Sequence, residues 1–216
     1  MILVINGSPK PKGNLERMLH KIASDTAIEY EIVDLVKLDI RPCIGCVKCA
    51  KTLRCVVKDD MTPLYDKIVE SDAFLVGGVN YFSHVNGFTR VFLERMFPLH
   101  HRHPPVLGKP AGAVAVGWND AAVAVNEIAA HLSSYFKFNV VGTAVFNSKT
   151  PPCFRCGFGT ECTYGAPARW MTPAEFKNFS EITPDMVHHF EDYPDVVFAC
   201  GQLAEKLKGA IADSPA

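Results

Sequence analysis

An excess of charge of either sign is missing from this chain: 22 Lys and Arg stand against 23 Asp and Glu, a net charge of −1. No Lys/Arg run builds a basic patch, so the sequence offers nothing for nucleic acid to bind. Long apolar runs are missing too. Ala111 to Trp118 and Val196 to Cys200 fall far short of the ~18 to 20 residues that span a bilayer, and no membrane association is expected. The opening Met1-Ile2-Leu3-Val4-Ile5-Asn6 has no basic lead or small-residue cleavage site, so the expected compartment is the cytoplasm. There is no internal repeat, no low-complexity tract, no Walker ending Gly-Lys-Ser/Thr and no G-x-G-x-x-G. Disorder is excluded by composition, with 48% apolar and 21% charged residues.

What is present over 216 residues suits one domain with an appendage. Short apolar runs alternate with helical patterns. Ile2 to Asn6 reads as a buried strand, Tyr30 to Leu35 as a second, Ala73 to Val79 as a third, Gly112 to Val116 as a fourth and Val140 to Phe146 as a fifth. Between them, Leu15, Met18, Leu19 and Ile22 recur at helical spacing, Thr62-Pro63 reads as an N-cap with proline at the first helical position, and helices are expected from Asn86 and over Ala121 to Phe136. Alternation of this kind implies parallel pairing, and five strands predict an α/β, flavodoxin-like, doubly wound sheet. That domain covers 1–147. Residues 148–216 form a cysteine-containing loop and C-terminal helices packed on it: Thr172-Pro173-Ala174-Glu175 reads as a capping box, and the last helix runs from about Asp195 to Lys208, stopped by Gly209.

The loop Gly7-Ser8-Pro9-Lys10-Pro11-Lys12-Gly13-Asn14-Leu15 lies between the first strand and the first helix, where free backbone N–H groups and the helix dipole favour an anion. Ser8 and Asn14 add polar groups; Lys10 and Lys12 add charge. The third strand ends in Gly78-Val79-Asn80-Tyr81-Phe82 and the fourth in Gly117-Trp118-Asn119. In an open α/β sheet ligands bind beyond the carboxyl ends of the strands. Three loops at one edge, offering phosphate donors, close backbone approach and aromatic cover, point to flavin mononucleotide (FMN).

Eight cysteines in a reducing compartment need an explanation other than disulfides. Cys43, Cys46, Cys49 and Cys55 form C-x2-C-x2-C-x5-C, a spacing that wraps thiolates around one centre. Four-cysteine zinc sites also use C-x2-C steps, and free thiols are the remaining alternative. Lys48, Lys51 and Arg54 would offset the negative charge of an iron–sulfur cluster.

Gly7-Ser8-Pro9-Lys10 with Gly13-Asn14, Gly78 to Phe82 followed by Arg90-Val91-Phe92-Leu93-Glu94-Arg95, and Leu107-Gly108-Lys109-Pro110 resemble the NAD(P)H-dependent FMN reductase family over roughly 1–146. Two positions depart from it: Leu15 stands where threonine is usual and Val79 where proline is usual. With the compact cysteine motif, the chain resembles the iron–sulfur flavoproteins of that family. The resemblance implies a [4Fe–4S] cluster on Cys43, Cys46, Cys49 and Cys55 beside FMN, and a homo-oligomer, a dimer or a dimer of dimers. It also implies a ferredoxin-like electron donor or NAD(P)H. The expected function is an FMN-dependent oxidoreductase passing electrons between cluster, flavin and a small-molecule or protein partner. The alternatives are an NAD(P)H-dependent FMN or quinone reductase without a cluster, and a thiol or metal redox sensor. No acid–base residue is assigned.

Cys153, Cys156 and Cys162 form C-x2-C-x5-C, read as a possible second metal site, a redox pair or an ordered loop without metal. Cys200 falls on an apolar helical stripe and reads as a core thiol. His100-His101-Arg102-His103, between Pro98 and Pro104, reads as a surface loop, and His188 and His189 as a solvated turn. His84, near Tyr81 and Phe82, is the histidine expected beside the flavin.

Overall fold

The computed structural model describes residues 1–214. Five parallel strands, β1 (Ile2–Asn6), β2 (Tyr30–Asp34), β3 (Ala73–Tyr81), β5 (Pro110–Gly117) and β6 (Asn139–Asn147), lie in the order β2-β1-β3-β5-β6. This is the flavodoxin-like order, with its switch point between β1 and β3. Every residue of β1 is buried, as a strand covered on both faces requires. A two-residue strand, β4 (His84–Val85), turns back antiparallel on β3, an addition that the sequence pattern did not signal.

Helices cover both faces. Against one face lie α1 (Asn14–Asp25) and α8 (Pro194–Ala212); against the other, α3 (Met61–Glu70), α4 (Gly87–Arg95) and α5 (Ala121–Ala130). The inward stripe of α1 is Leu15, Met18, Leu19, Ile22 and Ala23, the spacing a 3.6-residue period dictates. The stripe of α8 is Val196, Cys200, Leu203, Ala204 and Leu207. Each aliphatic side chain so buried contributes about 1.5–3 kcal/mol. The extension also carries α6 (Ala166–Trp170) and α7 (Pro173–Asn178), the latter with the expected capping box on Thr172 and Glu175.

Three local expectations are corrected. Helix α3 begins at Met61 with Asp60 at the N-cap, so Pro63 sits at its third position, where an N–H is not yet needed. Gly209 does not stop α8, which continues to Ala212 because Leu203, Ala204 and Leu207 already commit the helix to the sheet. The helix over 121–136 is α only to Ala130, then one π turn through Tyr135. Among the described residues no helix is long and apolar enough to cross a membrane.

Candidate functional site

Loop 7–13 leaves β1 and enters α1 at Gly13, whose extended backbone provides no side-chain cap for the helix N-terminus. Gly7 is required here by close approach: a Cβ would lie 1.9 Å from Thr89 Oγ1 and 2.8 Å from the Gly77 carbonyl oxygen. Ser8 is buried; its N–H donates to Asn6 Oδ1 (3.1 Å), and its Oγ accepts from Lys10 N–H (3.1 Å). Burial holds the Lys10 ammonium below its ordinary pKa, and the guanidinium groups of Arg155 and Arg17 push the same way. Cations drawn from the loop, from α1 and from the extension therefore surround one helix N-terminus, an electrostatic setting for an anion.

Two sequence-derived phosphate ligands have other commitments. The Leu15 side chain is in the core, against Gly77. Asn14 Nδ2 donates to the His188 carbonyl (3.1 Å), and its Oδ1 accepts from Phe190 N–H (3.2 Å) and Arg17 Nη2 (2.7 Å). Arg17 Nε in turn donates to Glu191 (2.6 Å). The His188–His189 turn, read as solvated, is thus part of the strap that ties the extension to α1; its rings contact Tyr193 and Arg17. Residues 174 positions apart make these bonds, a separation at which sequence periodicity carries no signal.

Asn86, legible only as a helix start, fastens the loops together. Its Nδ2 donates to the Gly7 carbonyl (2.7 Å), and its Oδ1 accepts from Val79 N–H (3.0 Å) and Thr89 Oγ1 (3.0 Å). Beyond it, Asn80 Nδ2 donates to the Asn119 carbonyl (2.7 Å), joining the β3 and β5 ends, while Asn80 Oδ1 is buried without a partner. Gly78 and Gly117 are closely packed against Val85 and Asn80. Tyr81 is half exposed, and Phe82, at φ +50°, is 100% exposed. Trp118 meets Trp170 of α6 at 5.2 Å between ring centroids, a wall contributed by the extension that no motif announced. His84 Nδ1 lies 3.8 Å from Glu127 Oε2 on the outer side of the hairpin.

Cys43, Cys46, Cys49 and Cys55 line a single small cavity, together with Glu94, Arg95, Phe97 and Pro98. Gly45 turns the loop at φ +64° with open space beside it. In this conformation no three His, Cys, Asp or Glu among the described residues converge closely enough to hold a metal ion. Burial raises the Cys49 thiol above its ordinary pKa, and Cys55, Cys46 and Cys43 add to the rise, so the four sulfurs are near enough to feel one another. Arg95, 1% exposed, stands behind them: Nη1 donates to Asp59 Oδ2 and to the Arg41 carbonyl (2.6 Å each), and Nη2 donates to Asp59 Oδ1 (3.0 Å). Arg41 and Asp59 bracket the cysteine loop, so one side chain pins both its ends. Arg95 Nε is buried without a partner. An all-thiol donor set facing an unpaired N–H is the environment an anionic sulfur-ligated centre needs. His101, read as a loop residue, reaches this site: its Nε2 is 3.5 Å from Cys49 Sγ.

The other three loop cysteines, read as a possible second metal site, make contacts within their own loop. Cys153 Sγ accepts from Ala166 N–H (3.3 Å), Cys156 Sγ from Phe158 N–H (3.4 Å), and Cys162 lies near Gly165. Cys200 is fully buried in α8, which pushes its thiol up to about 11.

Comparison with known proteins adds the following. The family model described as NADPH-dependent FMN reductase matches residues 1–151. An iron-sulfur flavoprotein of Methanocaldococcus jannaschii is 33% identical over 120 residues, covering 54% of this chain and 61% of that protein. One of Archaeoglobus fulgidus is 35% identical over 115 residues, 52% of each chain. The match thus spans little more than half the length of these relatives. Two-electron reduced flavodoxin of Megasphaera elsdenii superposes with a TM-score of 0.54 at 13% identity, covering 97% of this chain and 99% of that one.

Proposed function

The chain belongs to the NADPH-dependent FMN reductase family, and from that premise we propose an FMN-dependent oxidoreductase in which a [4Fe–4S] cluster on Cys43, Cys46, Cys49 and Cys55 exchanges electrons with the flavin site. One observation carries the reading. Helix α4 starts at Asn86, which ties the flavin loops together, and ends at Arg95, which lines the cysteine cavity. Its nine residues span roughly 13 Å at 1.5 Å per residue. A single helix would therefore set the spacing of the two proposed redox sites.

FMN, when bound, takes or gives two electrons together or singly, which couples hydride donors to one-electron carriers. The chain's own contribution is placement. Ser8, the backbone of Gly13, Asn14 and Leu15, and the Lys10–Arg155 cations would hold the phosphate. The buried, unpartnered Asn80 Oδ1 offers an acceptor that a ligand N–H would satisfy. Trp118, Trp170, Tyr81 and Phe82 would exclude water from the ring. The electron partner is a ferredoxin-like protein or NAD(P)H. A second copy of the chain would cover the bare Phe82, as a homo-oligomer. An NAD(P)H-dependent FMN or quinone reductase with free thiols is the second reading, favoured by the family model itself.

Purification without oxygen, followed by iron, sulfide and flavin analysis and an NAD(P)H oxidation assay, separates the two. Four iron and one FMN per chain support the first. Rapid NAD(P)H turnover by iron-free protein supports the second.

A further inference from the structure

The segment after α4 is held between the cysteine loop and the π turn that follows α5. Arg102 Nη2 donates to the Lys51 carbonyl (2.9 Å), and His100 Nδ1 meets the Tyr135 carbonyl. Between them the His101 ring stands edge-on to Phe97, with centroids 4.5 Å apart and planes at 76°. Phe97 itself lines the cysteine cavity. These contacts hold Nε2 of His101 3.5 Å from the sulfur of Cys49, the one buried cysteine of the four. A surface loop between prolines has no need of such fixation, and nothing else in the segment explains it.

We propose that His101 is a positioning residue for the four-cysteine centre: protonated at Nε2, it donates an N–H···S hydrogen bond to Cys49 and raises the reduction potential of the iron–sulfur cluster. The proposal rests on the cluster reading above. The physical basis is that a donor at a thiolate ligand withdraws electron density from sulfur and so stabilises the more negative, reduced state. Cys49 is the ligand for which this matters most, because buried sulfur has no water to supply the same bond. The unpartnered Nε–H of Arg95, which also lines the cavity, would act in the same direction.

The test uses full-length protein purified without oxygen, as wild type, His101→Leu and His101→Gln. Iron, sulfide and FMN content and melting temperature are measured first, then the cluster midpoint potential by spectroscopically monitored titration. His101→Leu should keep wild-type iron and shift the one-electron reduction equilibrium about tenfold toward the oxidised cluster, ~59 mV lower. His101→Gln, which retains an N–H donor, should lie nearer wild type. A full-iron Leu variant with unchanged potential overturns the role of His101 and leaves the cluster standing. Loss of iron from both folded variants overturns it too, because His101 would then be a ligand. Wild type without iron overturns the cluster reading itself, and the proposal with it.

Discussion

Arg95 and Asp59 form a two-point ion pair with side chains 1% and 2% exposed, and through it α4 grips both ends of the cysteine loop. Burial opposes charge on Arg95, but the Asp59 carboxylate outweighs it and its pKa rises; the Arg95 guanidinium in turn holds Asp59 below the usual carboxylate range against its own burial. Replacing Arg95 by Met leaves the Asp59 carboxylate with the Arg41 and Met61 N–H donors and only the Arg41 guanidinium, 3.8 Å away, to offset its charge, which should cost about 1.5–3 kcal/mol. Calorimetry should show a much lower melting temperature, and iron retention should fall with it. Since Asp59 has a depressed folded pKa, its contribution is present above ~3.9 and is lost as pH falls through the folded value. Asp59→Asn should therefore flatten the acid limb of the stability curve.

Asn86→Ala removes a donor to Gly7 and an acceptor for Val79 N–H in one step. A loss of about 1–3 kcal/mol is expected from the unsatisfied buried groups, with weaker FMN retention on gel filtration. Flavin binding at the wild-type level would mean that the loops hold their geometry without this tie.

Lys109 Nζ donates to the carbonyls of Ile68 (2.7 Å), Val69 (2.6 Å) and Ser71 at the end of α3, and burial pulls it down to about 8. A lysine whose folded pKa lies below its unfolded one costs stability while charged. That cost is full below pH 8 and disappears as pH rises toward ~10.4. The buried Cys200 thiol, at about 11, works in the opposite sense, protecting the fold below ~8.5 and losing that contribution above it. The two contributions oppose each other, so between pH 7.5 and 10.5 the urea midpoint should gain less with rising pH in Lys109→Met, and gain more in Cys200→Ala, than in wild type.

Cys46→Ser should lose iron–sulfur absorbance while FMN stays bound, because the flavin loops leave other strand ends. Cys200→Ser should keep iron and cost about 1–3 kcal/mol for a buried hydroxyl. Equal iron in Cys46→Ser and wild type would remove that thiol from the centre.

The released flavin should be FMN rather than FAD, since there is a single anion loop and no second mononucleotide half. Chromatography after heat release decides this. Light scattering of flavin-loaded protein should give a multiple of the 23.7 kDa chain mass.

Strand positions were legible because β1, β3 and β5 are apolar runs whose polar side chains, Asn6 and Asn80, come only at the carboxyl ends of β1 and β3. The two site loops followed from where those strands end. What escaped was bonding across distance. Asn14 reads as a phosphate ligand until His188 and Phe190 take its side chain. Trp170 meets Trp118 from a segment without periodicity, and His101 meets Cys49 from 52 residues away. Arg95 looked like one more helix residue, because nothing local reveals that its partner is Asp59.

The placement of α8 has a consequence for how the chain folds during synthesis. Ile2 and Val4 of the first strand share their apolar cluster with Cys200, Leu203 and Leu207 of the last helix. The part of that face which α1 does not cover, over β6 above all, therefore stays bare until residues 194–212 leave the ribosome. Through that interval Phe146, Leu75 and Val114 are exposed to water on the same face, the state in which partly made α/β chains aggregate. The strap from Arg17 and Asn14 reaches residues 188–191, so the anion loop acquires these bonds only once that stretch has been made. Cofactor loading should then follow synthesis of residues 188–212, and slowing translation of that stretch should lower soluble yield more than slowing translation of β1 and α1.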